Sequence, residues 1–263
     1  MTLKTTAKLM KKVSVITPTK NRPEFLRLAK QCFLAQTYKN IEWLILDDSD
    51  LKNEEFSNLI ENNIVYIHSA GPLSIGEKRN RLIDQSTGEV IVHFDDDDYY
   101  LSNYVEKFVA TLESENSDLL NLRSFFLCNA WSGNFAYWDL TVKEGLHFKM
   151  FKEDVELVML DSTNNKGFQL SHFGFGFGWT YRKSVWKENP FLDINWNEDG
   201  EFSAKARKKF KLDGLMDADG ICLHFLHKNS SSMCFPQYIL PPRLLKNFFP
   251  LDKVGQYLKA SAF

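Results

Sequence analysis

The first hundred residues predict an α/β fold with a mostly parallel sheet flanked by helices. Four short apolar runs, at residues 13–16, 41–46, 64–67 and 90–94, have the length and composition of buried strands. The segments between them carry apolar residues at helical spacing, clearest in residues 23–33 and 74–85. Strands that alternate with helices are typical of a parallel sheet whose faces are covered by those helices.

Three of these predicted strands lead directly into polar clusters. Pro18 and Thr19 follow the first strand, Asp47 and Asp48 end the second, and four aspartates at residues 95–98 follow the fourth. An isolated Asp pair after a strand is typical of a turn or a helix cap. Because ligands of open α/β sheets bind outside the carboxyl ends of strands, three clusters on one edge predict a ligand site there.

The aspartate run at residues 95–98 predicts a divalent cation. Burying an unpaired carboxylate costs roughly several kcal/mol per ion, so the run must reach a cleft or a cation. Hard cations such as Mn²⁺ or Mg²⁺ prefer carboxylate oxygens as ligands. A solvated acidic turn is the alternative interpretation, since most acidic runs lie in loops.

Composition excludes several classes of protein. The 263 residues are 44% hydrophobic, which is enough for one large core, and the net charge of -2 gives no support for a nucleic-acid partner. The four cysteines form no CxxC pair, and neither GxGxxG nor GxxxxGK[ST] occurs. With no signal-like or membrane-length apolar run, we expect a cytoplasmic protein, with peripheral membrane contact as an alternative.

The second half of the chain is expected to carry a smaller, mixed sheet on the acceptor side. Strand patterns occur within residues 119–138 and 221–226, whereas residues 139–170 give no clear assignment. In residues 172–179, HFGFGFGW, glycines alternate with aromatics, which predicts a strand that another group approaches closely. That strand is interpreted either as an acceptor platform that includes Trp179 or as tight core packing.

A second acidic site is predicted at the start of a helix over residues 197–210. Phe202, Ala206 and Phe210 form its apolar stripe, and Glu198 and Asp199 lie in its first turn. Acidic residues there also complement the helix dipole, which is the structural alternative. Because neighbouring helical residues point about 100° apart, only one of the two carboxylates is expected to face a cleft.

His224 and His227 lie on or just after the predicted strand at residues 221–226. Side chains three apart on a strand point to opposite faces, so at most one of them is expected to face a given site. We expect residues 1–235 to form a single domain with two halves, over about 10–100 and about 101–235. The apolar tail, residues 236–263, is expected to dock on this body, with membrane or dimer contact as the alternative.

Five segments of this chain resemble family 2 glycosyltransferases with the GT-A fold. They are VSVITPTKNRPEFL, AQTYKNIEWLILDDSD, KRNRLIDQSTGEVIVHFDDDDYY, NEDGEF and HKNSSS, and together they span residues 13–232. The resemblance implies transfer of a sugar from a nucleotide-sugar, with a UDP-sugar the first expectation, to an acceptor hydroxyl. It also implies inversion at the sugar and dependence on Mn²⁺ or Mg²⁺. Within the domain, it implies a nucleotide-binding half over about 10–100 and an acceptor-binding half over about 101–235.

The resemblance also implies roles for individual residues. Asp97 matches the metal ligand of the family's DxD signature, His227 a metal or diphosphate contact, and Asp199 the catalytic base. Glu198 and Trp179 are assigned to the acceptor side. The residues implied to bind the nucleotide-sugar are Pro18, Thr19, Asp48, Arg79, Asp95 and Asp96.

Some positions depart from the family pattern. Lys20 stands where many relatives have an aromatic residue that stacks on the base, which leaves the preference for uridine open. The QxxRW motif of processive synthases is absent, which favours one sugar per encounter. Two other functions remain: a nucleotidyltransferase that makes nucleotide-sugars, although TPTKNRP lacks the glycines expected of one, and an inactive relative that binds nucleotide or carbohydrate. A glycan, a lipid-linked and a protein acceptor are equally compatible with the sequence.

Overall fold

The computed structural model describes residues 10–61, 63–166 and 173–262. Its centre is four parallel strands in the order β4-β1-β2-β3, which confirms the predicted parallel half. These strands are β1 (Val13–Thr19), β2 (Ile41–Asp47), β3 (Ile64–His68) and β4 (Val90–His93). Every residue of β1, β2 and β4 is buried, as expected of parallel strands covered on both faces.

Helices connect these strands as the apolar spacing predicts. They are α1 (Pro23–Leu34), the short α2 (Glu54–Ser57) and α3 (Ile75–Gln85). Pro23 occupies the first turn of α1, where its missing N–H costs nothing. Ser74 caps α3, because its hydroxyl accepts from the Glu77 amide at 3.0 Å. The helix α1 begins shortly after the polar end of β1, and α3 begins after a loop that follows β3.

Most of the remaining strands continue the same sheet with mixed directions, so the α/β prediction with a mixed second half is confirmed. Residues 145–160 form a separate two-stranded antiparallel sheet. The strand β10 lies antiparallel between β4 and β6 and joins the two halves. The elements of this half are β5 (Tyr99–Tyr100), α4 (Tyr104–Ser114), β6 (Leu119–Asn129), β7 (Phe135–Asp139), β8 (Gly145–Phe151), β9 (Asp154–Leu160), β10 (Trp179–Arg182), α5 (Lys183–Glu188), α6 (Glu198–Ala206), β11 (Leu212–Met216), β12 (Cys222–Leu226), β13 (Tyr238–Leu240) and α7 (Leu251–Ser261).

Two predictions for this half are wrong in detail. The segment 172–179 is not a strand: Gly176–Gly178 form a 3₁₀ turn and β10 begins only at Trp179, while residue 172 lies outside the described residues. The close approach itself exists, because a Cβ on Gly176 would lie 2.6 Å from Arg79 Nη2. The helix α6 ends at Ala206 rather than near residue 210, since the chain tightens there into i→i+3 hydrogen bonds such as Lys209 N–H to Ala206 O.

The C-terminal helix α7 packs against α1. Tyr257 is buried, stacks on Phe225 at 4.9 Å between ring centroids, and has its hydroxyl 3.4 Å from Cys32 Sγ. The tail therefore covers apolar residues of α1 and β12. Among the residues that the structure describes, no helix combines the length and the apolar character needed to cross a membrane.

Candidate active site

A cleft of about 470 Å³ lies at the carboxyl edge of the parallel strands. The end of β1, the aspartate run after β4 and the start of α3 form its walls. A loop that follows β12 closes one side. The residues lining it include Pro18, Thr19, Lys20, Arg22, Lys78, Asp95, Asp96, Asp97 and Ser230. The predicted polar edge is therefore a concave site rather than a solvated turn.

Two residues of the aspartate run, Asp96 and Asp97, form ion pairs with Arg22. Arg22 Nη1 donates to Asp97 Oδ2 at 2.7 Å and to Asp96 Oδ1 at 3.0 Å, and Asp96 Oδ2 accepts from the Thr19 hydroxyl at 2.5 Å. His227 Nε2 lies 3.0 Å from Asp97 Oδ2. Burial alone would raise the pKa of Asp97, but Arg22 and His227 outweigh it and hold that pKa below its usual range.

The other two aspartates are less fully paired. Asp98 contacts His224 Nδ1 at 2.8 Å and the Phe225 amide at 3.0 Å. Burial opposes protonation of His224, yet Asp98 outweighs it and raises the pKa of His224 well above its usual range. Burial also raises the pKa of Asp95 to about 7, against the opposing effect of Arg79. Among the described residues, Asp95 Oδ1 and Asp98 Oδ2 are buried without a hydrogen-bond partner.

This arrangement fits a divalent cation. Oxygens of Asp95, Asp97 and Asp98 lie within 4.8 Å of one another. The two buried carboxylate oxygens that lack a donor are ligands that Mg²⁺ and Mn²⁺ prefer. Asp96 instead faces Thr19 and Arg22 and lies outside this group.

Both histidines contact the aspartate run, so the expectation that at most one would face it is wrong. His224 lies on β12, whereas His227 follows the strand's last residue and belongs to a loop. The alternation of strand side chains therefore does not apply between them. The Ser230 hydroxyl accepts from the His227 amide at 3.0 Å and stabilises the turn.

Asp48 lies on the same edge, but its oxygens already have partners. Lys78 Nζ donates to Oδ1 at 2.7 Å, and the Leu73 amide donates to Oδ2 at 2.9 Å. Lys20 Nζ lies 3.7 Å from Oδ2. Burial would raise the pKa of Asp48, but these donors lower it overall. Asp48 and the two lysines therefore form one polar group beside the cleft.

Glu198 and Asp199 have very different surroundings at the start of α6. Glu198 is buried and forms an ion pair with the buried Arg79, whose Nη2 also lies 3.8 Å from Asp95 Oδ1. Asp199 is partly exposed, accepts from the Gly176 amide at 3.0 Å through Oδ2, and accepts from its neighbour Gly200 at 2.7 Å through Oδ1. Arg79 thus lies between Asp95 and Glu198 and makes its shorter contact with Glu198.

The structure contradicts the acceptor-side assignment of Trp179. Its side chain is completely buried, its ring lies 5.4 Å from that of Phe202, and its indole N–H donates to Phe173 O at 3.1 Å. Trp179 begins β10 and points into the core beneath α6. Glu198 is likewise occupied by Arg79 and is not free for an acceptor.

Two contributors were missed in the sequence analysis. Arg22 lies within TPTKNRP directly after β1, and this position next to a polar strand end was the available signal. The Gly176 amide has no side-chain signature, because only tertiary structure brings it to Asp199. The two residues supply donors to different carboxylates of the site.

Comparison with known proteins settles the family. The family model described as "Glycosyl transferase family 2" matches residues 14–189, which is more than half of the chain. The chain belongs to glycosyl transferase family 2. One relative is "GalNAc(5)-diNAcBac-PP-undecaprenol beta-1,3-glucosyltransferase" from Campylobacter jejuni. It is 34% identical in an alignment that covers 96% of this chain and 80% of the relative.

Other members of the family are more distant. "Glycosyltransferase GlyG" from Streptococcus pneumoniae is 24% identical over 48% of this chain and 43% of its own length. "Glycosyltransferase GlyA" from the same species is 28% identical over 48% of this chain and 18% of its own length. The chain therefore spans less than half the length of these two curated relatives.

Solved structures support the fold. Staphylococcus aureus TarS in complex with UDP superposes with a TM-score of 0.61 at 18% identity, over 82% of this chain and 61% of TarS. TarS in complex with UDP-GlcNAc superposes with a TM-score of 0.63 at 17% identity, over 83% of this chain and 60% of TarS. The fold of this family 2 member is therefore of the GT-A type.

Proposed function

We propose that this family 2 glycosyltransferase transfers one sugar from a nucleotide-sugar to an acceptor hydroxyl, with inversion and with a divalent cation. The observation that carries the proposal is the presence of two separate acidic groups on either side of Arg79. A cluster of carboxylate oxygens fits a cation, and Asp199 lies across Arg79 from it with backbone amides as its hydrogen-bond donors.

The aspartate run would hold the cation and the donor diphosphate. Asp95, Asp97 and Asp98 supply the oxygens, and His227 orients Asp97. When bound, such a cation neutralises the charge that develops on the departing diphosphate. Arg22 lies 2.7 Å from Asp97 and is well placed to pair with the same phosphates.

The nucleoside would lie over the ends of β1 and β2. Pro18 and Thr19 line the cleft there, and the Asp48–Lys78 pair offers both an acceptor and a donor to a base. We propose UDP as the nucleotide, because the TarS structures with similar folds are complexes with UDP and UDP-GlcNAc. The ammonium of Lys78 lies among the groups that would decide the base.

Asp199 would act as the general base. It would take the proton from the acceptor hydroxyl while that oxygen bonds to the anomeric carbon and the bond from that carbon to the diphosphate oxygen breaks. A single displacement of this kind inverts the sugar and requires only one base. The two amide donors on Asp199 orient the carboxylate, and each oxygen retains a lone pair for the hydroxyl.

For the acceptor we propose a lipid-linked glycan. The basis is the C. jejuni relative, whose printed name specifies an undecaprenol diphosphate-linked substrate and which aligns with 96% of this chain. Such an acceptor would bring the enzyme to a membrane surface, and the tail with the exposed Leu251 is the proposed contact.

A panel of nucleotide-sugars with Mn²⁺ and a polyprenyl-diphosphate glycan tests this function. The expected result is Mn²⁺-dependent release of nucleoside diphosphate from one donor, with a product that gains one sugar of inverted configuration. Formation of labelled nucleoside triphosphate and sugar 1-phosphate from the nucleotide-sugar and labelled pyrophosphate would instead support the nucleotidyltransferase. Nucleotide binding without either reaction would support the inactive relative.

A further inference from the structure

We infer that His93 positions the carboxylate of Asp199 by holding the Gly176 peptide groups between them. The inference rests on the proposed role of Asp199 as general base. His93 is the last residue of β4, two positions before Asp95, and it does not contact Asp199 directly. It acts through the 3₁₀ turn that follows residue 175.

The hydrogen bonds of His93 fix its tautomer. Its Nδ1 lies 2.7 Å from Gly176 O and its Nε2 lies 2.9 Å from the Tyr181 hydroxyl. Because a carbonyl oxygen can only accept, Nδ1 carries the proton, and Nε2 accepts from Tyr181.

Gly176 is held from two sides. Its carbonyl accepts from His93, and its N–H donates to Asp199 Oδ2 at 3.0 Å. The two groups lie in adjacent peptide planes that meet at the Gly176 Cα, so the bond from His93 anchors the plane next to the one that carries this N–H. Any side chain at the position would displace the Arg79 guanidinium, because a Cβ would lie 2.6 Å from Arg79 Nη2.

Arg79 and Gly176 together contact Glu198 and Asp199 at the start of α6. Arg79 packs under Gly176 and pairs with Glu198, and Gly176 bonds to Asp199. The turn is therefore fixed by β4, by α3 and by the start of α6 together. A general base must lie within about 2.6–3.2 Å of its proton, and a misplacement of about 1 Å can cost roughly 10²-fold in rate.

A merely structural histidine is the competing interpretation. A buried imidazole with both nitrogens paired is stable in a core without any influence on catalysis. The two interpretations differ in one respect: only the positioning role depends on a donor at the Nδ1 position. Variants that keep or remove that donor therefore separate them.

The decisive pair is His93→Asn and His93→Leu. The Asn amide nitrogen occupies nearly the position of Nδ1 and can donate to Gly176 O, whereas Leu cannot. With the donor sugar found by the panel, we expect His93→Leu to lower kcat about tenfold or more. We expect KM for the donor and the affinity for UDP with Mn²⁺ to stay unchanged, and His93→Asn to keep kcat within about threefold of wild type. Equal kcat in His93→Leu and wild type, or equal losses in the two variants, would overturn the inference.

Two further measurements guard against a folding failure. Tyr181→Phe keeps the ring packing but removes the hydroxyl that fixes the tautomer, so a severalfold loss of kcat at unchanged KM is expected. Thr180→Val is the matched control on the same strand, because its buried hydroxyl has no partner among the described residues. It should leave kcat unchanged, and a loss equal to that of Tyr181→Phe would contradict the inference.

The amide resonance of Gly176 tests the geometry without any sugar transfer. We expect Asp199→Asn and His93→Leu both to shift it upfield and His93→Asn to leave it near the wild-type position. If the wild-type protein transfers no sugar, the proposed function fails while this measurement still decides the contact. If transfer occurs and His93→Leu leaves both kcat and the resonance unchanged, only the positioning role fails.

Discussion

The aspartate run in the cleft and Asp199 at the start of α6 are held in opposite ways. The aspartates at residues 95–98 lie beside a guanidinium and two imidazoles. Arg22 is bonded to Asp96 and Asp97, His224 to Asp98, and His227 to Asp97. Asp199 has backbone amides as its hydrogen-bond donors. The aspartate run thus concentrates negative charge, whereas the amide donors give Asp199 a fixed orientation.

Glu198 differs from Asp199 because its hydrogen-bonding partner is the charged Arg79 rather than a backbone amide. It is adjacent to Asp199 in sequence, yet its ion pair with Arg79 satisfies its charge. Burial raises the pKa of Glu198, against the opposing effect of Arg79. A carboxylate engaged in this way cannot easily accept a proton from a substrate hydroxyl. The position of Arg79 therefore favours Asp199 over Glu198 as the base.

Replacement of Asp199 should have the largest effect on transfer. Asp199→Asn keeps the shape of the side chain but removes its basicity, so we expect kcat to fall about 10²-fold or more. Affinity for UDP with Mn²⁺, measured by calorimetry, should remain within about twofold of wild type.

Glu201→Gln is the matched control for this variant. Glu201 also lies in the first turn of α6, so its loss changes the charge at the helix start by the same amount. A comparable fall in kcat for Glu201→Gln would indicate that helix-start charge, rather than a base at Asp199, accounts for the effect. Loss of UDP binding in Asp199→Asn would also contradict the assignment.

Replacement of Asp97 tests the role of the aspartate run in cation binding. We expect Asp97→Asn to weaken Mn²⁺-dependent UDP binding by about tenfold or more, because it removes a charged oxygen ligand and the partner of Arg22. Asp84→Asn is the control, since Asp84 is an exposed carboxylate on α3 and lies outside the oxygen cluster. Unchanged calorimetry for Asp97→Asn, or equal losses for both variants, would argue against a cation at this position.

The sequence predicted the parallel half and its acidic edge because both signals are local. Apolar runs of strand length and the helical spacing after Pro23 are sufficient to place β1, β2, β4 and α1. Parallel strands then bring their carboxyl ends to one edge by geometry alone. The roles of Asp97 and Asp199 themselves remain predictions.

Other features depend on contacts between distant segments. Trp179 faces the core because β10 inserts between β4 and β6, which no local pattern in HFGFGFGW reveals. His227 reaches Asp97 because β12 ends one residue earlier. Arg22 and the Gly176 amide become site groups only when helix, turn and sheet are assembled.

Replacement of Glu198 should affect stability more than transfer. Glu198→Gln leaves the buried Arg79 without its counter-charge, so we expect the free energy of unfolding in urea to fall by about 3 kcal/mol. Transfer by the folded fraction should fall only severalfold. A double replacement of Arg79 and Glu198 by Met should lose less stability than Glu198→Gln alone. A greater loss in the double variant would show that Arg79 contributes by other contacts.

The smallest effect on transfer is expected at Glu42, a carboxylate at the opposite edge of the sheet. It accepts from the Ser14 hydroxyl at 2.6 Å, from the Thr87 amide at 2.6 Å, and from Lys12 Nζ at 2.9 Å. Burial would raise the pKa of Glu42, but the Ser14, Thr87 and Lys12 donors lower it from 4.5 to about 2.

The sign of this shift predicts a pH dependence of stability. A carboxyl group whose pKa is lower in the folded state stabilises the protein above its unfolded pKa, and the contribution is lost as the pH falls towards the folded value. We expect wild type to be more stable than Glu42→Gln at pH 6, and this difference to shrink between about pH 4.5 and pH 2. Urea unfolding across this range measures it, with kcat at pH 7 as the second readout. If the difference in free energy of unfolding stays constant across this pH range, ionisation of Glu42 does not cause it. A large loss of kcat in Glu42→Gln would mean that the two edges of the sheet are coupled.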